Sequence, residues 1–210
     1  MRIEIYRNFA TQEEINALNE WVELGVKNKW LDLGIDGKNN TTRRLTSRMY
    51  GHMYEYPQVV MDVSKKIRTF VGVESYPLIT GHGKNGVVVS YTYSGGDVYK
   101  HKDPKSFDGL STLRCNILTQ KADTGGVLYV DGQRIDVEVG DLHCYLVSEH
   151  EHWATEVEGK TPRIMWMFGA HVPAEDWNSG KIKLNNGKSD FIKTLENGTV
   201  AYKLGITRGL

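Results

Sequence analysis

The chain has 210 residues, 40% hydrophobic and 25% charged. That is enough for one well-buried core and lies near the upper end of single-domain size. Lysine plus arginine and aspartate plus glutamate each number 26, so the net charge is zero and no global field draws in nucleic acid or an anionic membrane.

The opening MRIEIYRNFA lacks the apolar run of a signal peptide, and nothing approaches the roughly 20 apolar residues that a membrane-spanning helix requires. After a strand-like RIEIY, Thr11 and Glu14 form a capping-box pattern ahead of Ile15, Leu18, Val22 and Val26, which predicts a helix with one apolar face. GIDGKNNTTRRLTSRMYG has no clear period and reads as a long loop, a kind that often carries function. Its Arg43, Arg44 and Arg48 suit an anionic substrate; the same run also reads as a solvated face. Pro57 then precedes Val59, Val63, Ile67 and Phe70, a second helical set ending near Gly72.

From about Val87 the pattern turns to short β-type runs, VVVSYTY, STLRCNILTQ, GVLYVDG, RIDVEV, DLHCYLV and PRIMWMFGAHV, separated by SGG, DTGG, VDGQ and EVGD. Such spacing predicts an antiparallel sandwich or jelly roll with the helices packed on it: an α+β chain, mainly β, forming a single domain. Residues 1–85 are helical cover and loop, 86–173 the β core, and 174–210 a C-terminal extension with weak periodicity. Cys115 and Cys144 fall in apolar alternating segments, where a thiol acts as a small hydrophobe. A soluble, cytoplasmic protein is expected.

Seven histidines occur, at 52, 82, 101, 143, 150, 152 and 171. In VYKHKDP, His101 and Asp103 are two apart and share one face of an extended segment, while Lys100 and Lys102 point the other way. Downstream, SEHEHWATEVEGKTPR places His150 and His152, also two apart, ahead of Arg163 at the mouth of an apolar strand. Two histidines and one carboxylate make the facial triad of non-haem Fe(II) oxygenases. A structural zinc site would close its coordination with thiolates, and neither cysteine has a CxxC-like partner. A cupin-like metal protein, or a non-catalytic β-sandwich ligand-binding module with fortuitous histidines, remains open on these residues alone.

The order His-x-Asp, distal His, Arg resembles the Fe(II)- and 2-oxoglutarate-dependent dioxygenases, in particular the prolyl 4-hydroxylase-like branch. The resemblance runs roughly from Val87 to Val172 through YSGGDVYKHKD, ADTGGVLYV, VEVGDLHCYLV and HWATEVEGKTPR, with IYRNFATQEEINAL similar to the helical entry of that branch. It implies a double-stranded β-helix core and Fe(II) held by His101, Asp103 and His152. Val157 and Arg163 follow His152 at close to the family's spacing, which favours it over His150. It further implies 2-oxoglutarate as cosubstrate, with its distal carboxylate on Arg163, Tyr93 and Tyr99 flanking it and Asn116 hydrogen-bonded to it. O2 is consumed, with ascorbate as a reductant where one is needed. The implied reaction hydroxylates an unactivated C–H bond and releases succinate and CO2. The substrate would be a prolyl or other peptidyl side chain, with a free amino acid or small metabolite as the alternative. Two departures stand out: Met165 occupies the place of a Ser or Thr found in many relatives, and Gly159 is displaced from the family's pattern.

Overall fold

Both arms of the predicted capping box form: the Glu14 amide donates to Thr11 Oγ1 at 3.2 Å, and the Thr11 amide donates to Glu14 Oε2 at 2.8 Å. The computed structural model describes residues 1–33, 44–46, 55–79 and 86–183. Its elements in chain order are β1 (Glu4–Tyr6), α1 (Gln12–Lys27), β2 (Asp32–Leu33), β3 (Arg44–Thr46), α2 (Gln58–Val71), β4 (Val88–Thr92) and β5 (Val98–His101). There follow β6 (Ser111–Gln120), β7 (Thr124–Gly125), β8 (Leu128–Val130), β9 (Gln133–Ile135), β10 (Leu142–Leu146), β11 (His152–Ala154), β12 (Val157–Glu158), β13 (Arg163–Val172) and α3 (Ala174–Asn178).

The strands form a seven-stranded sheet of order β1-β10-β6-β13-β4-β3-β2, a four-stranded sheet of order β5-β11-β8-β9 and a small β12-β7 ribbon. Every paired strand runs antiparallel, giving the two-layered jelly roll expected from the short β-type runs. Strand alternation divides the large sheet's residues between two cores. Leu113, Cys115, Ile117, Leu142, Leu146, Trp166 and Phe168 pack with the buried stripes of α1 and α2. The residues between them on the same strands turn inward, where Leu118, Tyr145, Val147 and Met165 meet Leu128, Val130 and Ile135 of the small sheet. The inner face also carries Arg114, Asn116, His143 and Arg163, all buried. Polar side chains at the centre of a jelly roll are costly without partners, so this face is where a ligand belongs.

The structure adds three features. The stripe of α2 is centred on Val60, Val63, Ile67 and Val71, with Val59 and Phe70 on its flank; αL Gly72, at φ 75°, closes the helix as expected. The stretch read as one long loop contains β3, which pairs with β4 through Arg44 opposite Thr92 and Thr46 opposite Ser90. A three-residue strand is too short to show a period. The N-terminal cover also contributes to the sheet itself, through β1 against β10. Cys115 and Cys144 face each other across β6 and β10 as buried free thiols. No helix among the described residues is long and apolar enough to cross a membrane.

Candidate metal centre

His101 ends β5 and His152 begins β11, and the two are direct partners across that ladder. Their rings lie 4.4 Å apart. Asp103 follows in the loop, tied to the large sheet because its amide donates to the Val147 carbonyl at 3.0 Å. The Thr112 hydroxyl holds the next carbonyl, that of Pro104, at 2.9 Å. The centre is thus anchored to both sheets at once. One potential ligand atom from each of His101, Asp103 and His152 lies within 4.8 Å of the others.

The ring tautomers follow from the carbonyls they face. His101 Nδ1 lies 2.7 Å from the Tyr99 carbonyl and His152 Nδ1 lies 3.1 Å from the His150 carbonyl. A carbonyl can only accept, so each Nδ1 carries a proton and each Nε2 keeps a lone pair in the neutral ring. Those Nε2 atoms sit 3.2 and 3.9 Å from Asp103 Oδ1. Lone pairs converging on a carboxylate repel unless a proton or cation lies among them, so the donor set fits a divalent ion. Burial pushes His152 down to about 4, against the opposing pull of Asp103, which keeps it neutral and able to ligate. Burial alone would raise Asp103, but its contacts with His101 and with the Arg114 guanidinium hold it well below the usual carboxylate range, so it stays an anion.

Arg114 was not singled out from the sequence. It lies buried in β6, with Nε 3.7 Å from Asp103 Oδ2 and Nη1 donating to the Gly86 carbonyl at 3.2 Å. The available signal was an arginine in the middle of the otherwise uncharged run STLRCNILTQ.

His150 is turned away, with Nδ1 2.7 Å from Asp131 Oδ2. His150→Ala is therefore expected to retain divalent-ion binding close to the unaltered chain's. Titration with Mn(II) followed by calorimetry checks this; loss of binding would move the ligand assignment by two residues. Tyr99 stacks on His101 with ring centroids 4.5 Å apart and so braces that imidazole. Tyr93 instead packs edge-on against Tyr91, 4.8 Å away, on the helix-side core. Because it shares the parity of Tyr91, it sits on the opposite side of the sheet from Arg163. Lys100 points outward as expected, pairing with Glu151 at 2.9 Å. Arg43 and Arg48 lie outside the described residues; Arg44 is on β3, with Nε donating to Ser90 Oγ at 2.7 Å.

Arg163 begins β13 on the inner face and is 6% exposed, with no carboxylate paired to it among the described residues. Burial, then the neighbouring Arg44, lowers it to about 10, so it stays charged at neutral pH. Its stem passes over the Gly-Gly turn: a Cβ on Gly126, at φ +62°, would lie 2.6 Å from Arg163 Cδ. The turn before it is held by Asp123 Oδ2, which accepts from the amides of Lys160 at 2.7 Å and Thr161 at 3.0 Å. Asn116 Nδ2 lies 3.2 Å from Nε2 of His143, its neighbour across the ladder. Among the described residues, Asn116 Oδ1 and His143 Nδ1 have no hydrogen-bond partner. Burial, then Arg163, lowers His143 to about 3, so it is neutral.

This jelly roll, with two histidines and an aspartate at the mouth of its inner face, has the fold of the 2-oxoglutarate oxygenases. No protein-family model matches the chain, and no curated protein matches it in sequence. Among solved structures it is similar to the viral collagen prolyl hydroxylase of Paramecium Bursaria Chlorella virus-1, solved as a 2OG complex. That match has a TM-score of 0.57 at 16% identity, covering 82% of this chain and 97% of that one. It is also similar to the Trichoplax adhaerens prolyl hydroxylase in complex with a hypoxia inducible factor peptide fragment, with a TM-score of 0.60 at 12% identity, covering 80% and 83% of the two chains. HygX from Streptomyces hygroscopicus, with nickel, 2-oxoglutarate and hygromycin B bound, matches with a TM-score of 0.55 at 11% identity over 81% and 82%.

Proposed function

We propose that this chain is an Fe(II)- and 2-oxoglutarate-dependent dioxygenase that hydroxylates an unactivated C–H bond and releases succinate and CO2. The observation that carries this reading is the convergence of His101, Asp103 and His152, with both histidine tautomers set so that Nε2 faces the carboxylate. Three protein ligands leave room for a chelating 2-oxo acid and for O2, which a closed structural site would not. When bound, Fe(II) supplies the redox chemistry that couples O2 to decarboxylation of the cosubstrate.

The residues of the chain do the rest. Tyr99 and the two carbonyls fix the imidazoles, and Arg114 draws the second oxygen of Asp103 to its own side. Arg163 receives the distal carboxylate of 2-oxoglutarate, because a buried guanidinium without a carboxylate is stabilised by one that arrives with the ligand. Asn116 lines the same inner face and contacts the cosubstrate. Leu118, Val130 and Met165 keep bulk water from the interior.

The substrate in this reading is a prolyl or other peptidyl side chain, by likeness to the two prolyl hydroxylases. A small metabolite is the second reading, supported by the likeness to HygX with its bound hygromycin B. Two buried free thiols suit a reducing, cytoplasmic setting. The test is anaerobic addition of Fe(II) and 2-oxoglutarate, expected to give a weak visible charge-transfer band, followed by slow succinate formation in air. Absence of both overturns the assignment.

A further inference from the structure

A carboxylate seated on one buried arginine still has lone pairs to satisfy, and a second donor must come from the chain or from water. Met165, two residues beyond Arg163 on the same face, offers none: it is 4% exposed and packed in the apolar cluster between the sheets. A donor supplied by the chain would therefore come from another strand.

β4 lies beside β13 with Thr92 directly opposite Arg163 and Ser90 opposite Met165. Register partners in an antiparallel ladder present their side chains on one face, so both hydroxyls share the face of Arg163. The two differ in what they already touch. Ser90 Oγ accepts from Arg44 Nε at 2.7 Å. Thr92 is 1% exposed, and its Oγ1 has no hydrogen-bond partner among the described residues. A buried hydroxyl without a partner costs on the order of 1–3 kcal/mol, a penalty that a ligand accepting its hydrogen bond would remove. His143 Nδ1 is likewise unpartnered, but it sits on β10, separated from β13 by β6, opposite Asn116. Thr92 alone among these groups is both unengaged and adjacent to Arg163.

We propose that Thr92 is the second donor to the distal carboxylate of the cosubstrate, its hydroxyl completing beside Arg163 the seat that Met165 leaves open. This rests on the reading of the chain as a 2-oxoglutarate enzyme. It assigns a binding residue that follows from strand register and lies far from Arg163 in sequence. It also carries a signature that a structural threonine would not have. Thr92→Val keeps the shape and removes an unsatisfied buried polar atom, so the ligand-free protein should be as stable as before or more so while it binds the cosubstrate less well.

The test is calorimetric titration of the Mn(II)-loaded 210-residue chain, without turnover, using 2-oxoglutarate and 2-oxopentanoate, which has the same 2-oxo acid head but no distal carboxylate. Thr92→Val should bind 2-oxoglutarate about 10-fold to 100-fold more weakly, the range expected for one hydrogen bond to a charged group. Its binding of 2-oxopentanoate and its ligand-free melting temperature should not fall. Thr92→Ser, which restores a hydroxyl, should recover most of the affinity. Equal binding of 2-oxoglutarate by Thr92→Val and the unaltered chain overturns the assignment of Thr92 and leaves the proposed function standing. So does equal weakening toward both acids, which would reflect general damage to the pocket. No binding of 2-oxoglutarate by the unaltered chain overturns both.

Discussion

Asp103→Ala is expected to abolish specific binding of a divalent ion, weakening it by more than ~100-fold, beyond the range seen when only an outer-shell partner is lost. Asp103 is the one anionic donor of the three, and the only one within reach of both imidazole Nε2 atoms and the Arg114 guanidinium. Removing it leaves two neutral donors and a nearby buried cation that repels the incoming ion. The same change strips Arg114 of its carboxylate neighbour, so Asp103→Ala should also lower the melting temperature of the ion-free protein. Asp103→Asn, which keeps the volume and hydrogen-bonding capacity, should lose ion binding with a smaller thermal penalty. The check is the thermal shift on adding Mn(II): a rise for the unaltered chain and none for either variant. A retained shift in Asp103→Ala would remove the aspartate from the ligand set.

Arg163→Met should separate cosubstrate binding from ion binding. The methionine retains an apolar stem over Gly126 but brings no charge to the inner face. Truncating one partner of a buried charge pair costs several kcal/mol, so the requirement for 2-oxoglutarate should rise by ~100-fold or more. The three residues proposed to hold the ion are untouched, and Mn(II) affinity should stay close to its starting value. Stability should move in the opposite direction from Asp103→Ala. The guanidinium has no carboxylate partner among the described residues of the ligand-free chain, so replacing it by an apolar side chain should be neutral or stabilising. The measurements are the KM for 2-oxoglutarate against kcat, and the melting temperature of the ligand-free protein. An unchanged KM would remove Arg163 from the cosubstrate site.

Much of the site was legible because its signals are local. The capping box spans Thr11 to Glu14, the strands of the core show alternation within each run, and His101 and Asp103 share a face because they are two apart in an extended segment. The Gly-Gly turn and the arginine that passes over it are likewise visible as motifs, although the contact between them is not. Spacing placed His152 ahead of His150 only by likeness to a family.

The sequence by itself determined the class of fold, the two helices on its outer layer and the residue types able to hold an ion. Only the tertiary structure decided which of those residues meet. The β5–β11 register brings His152 to His101, and the Asp131 carboxylate holds His150 away. The fold of β6 over the Asp103 loop brings in Arg114, which no spacing indicates. Parity turned Tyr93 to the helix side, and a three-residue strand inside an apparent loop brought Arg44 opposite Thr92, itself opposite Arg163. All of these are relations between strands distant in the chain. Pairing register is set by turns, bulges and burial of a whole face, and a linear pattern carries the alternation of each strand without the identity of its neighbour.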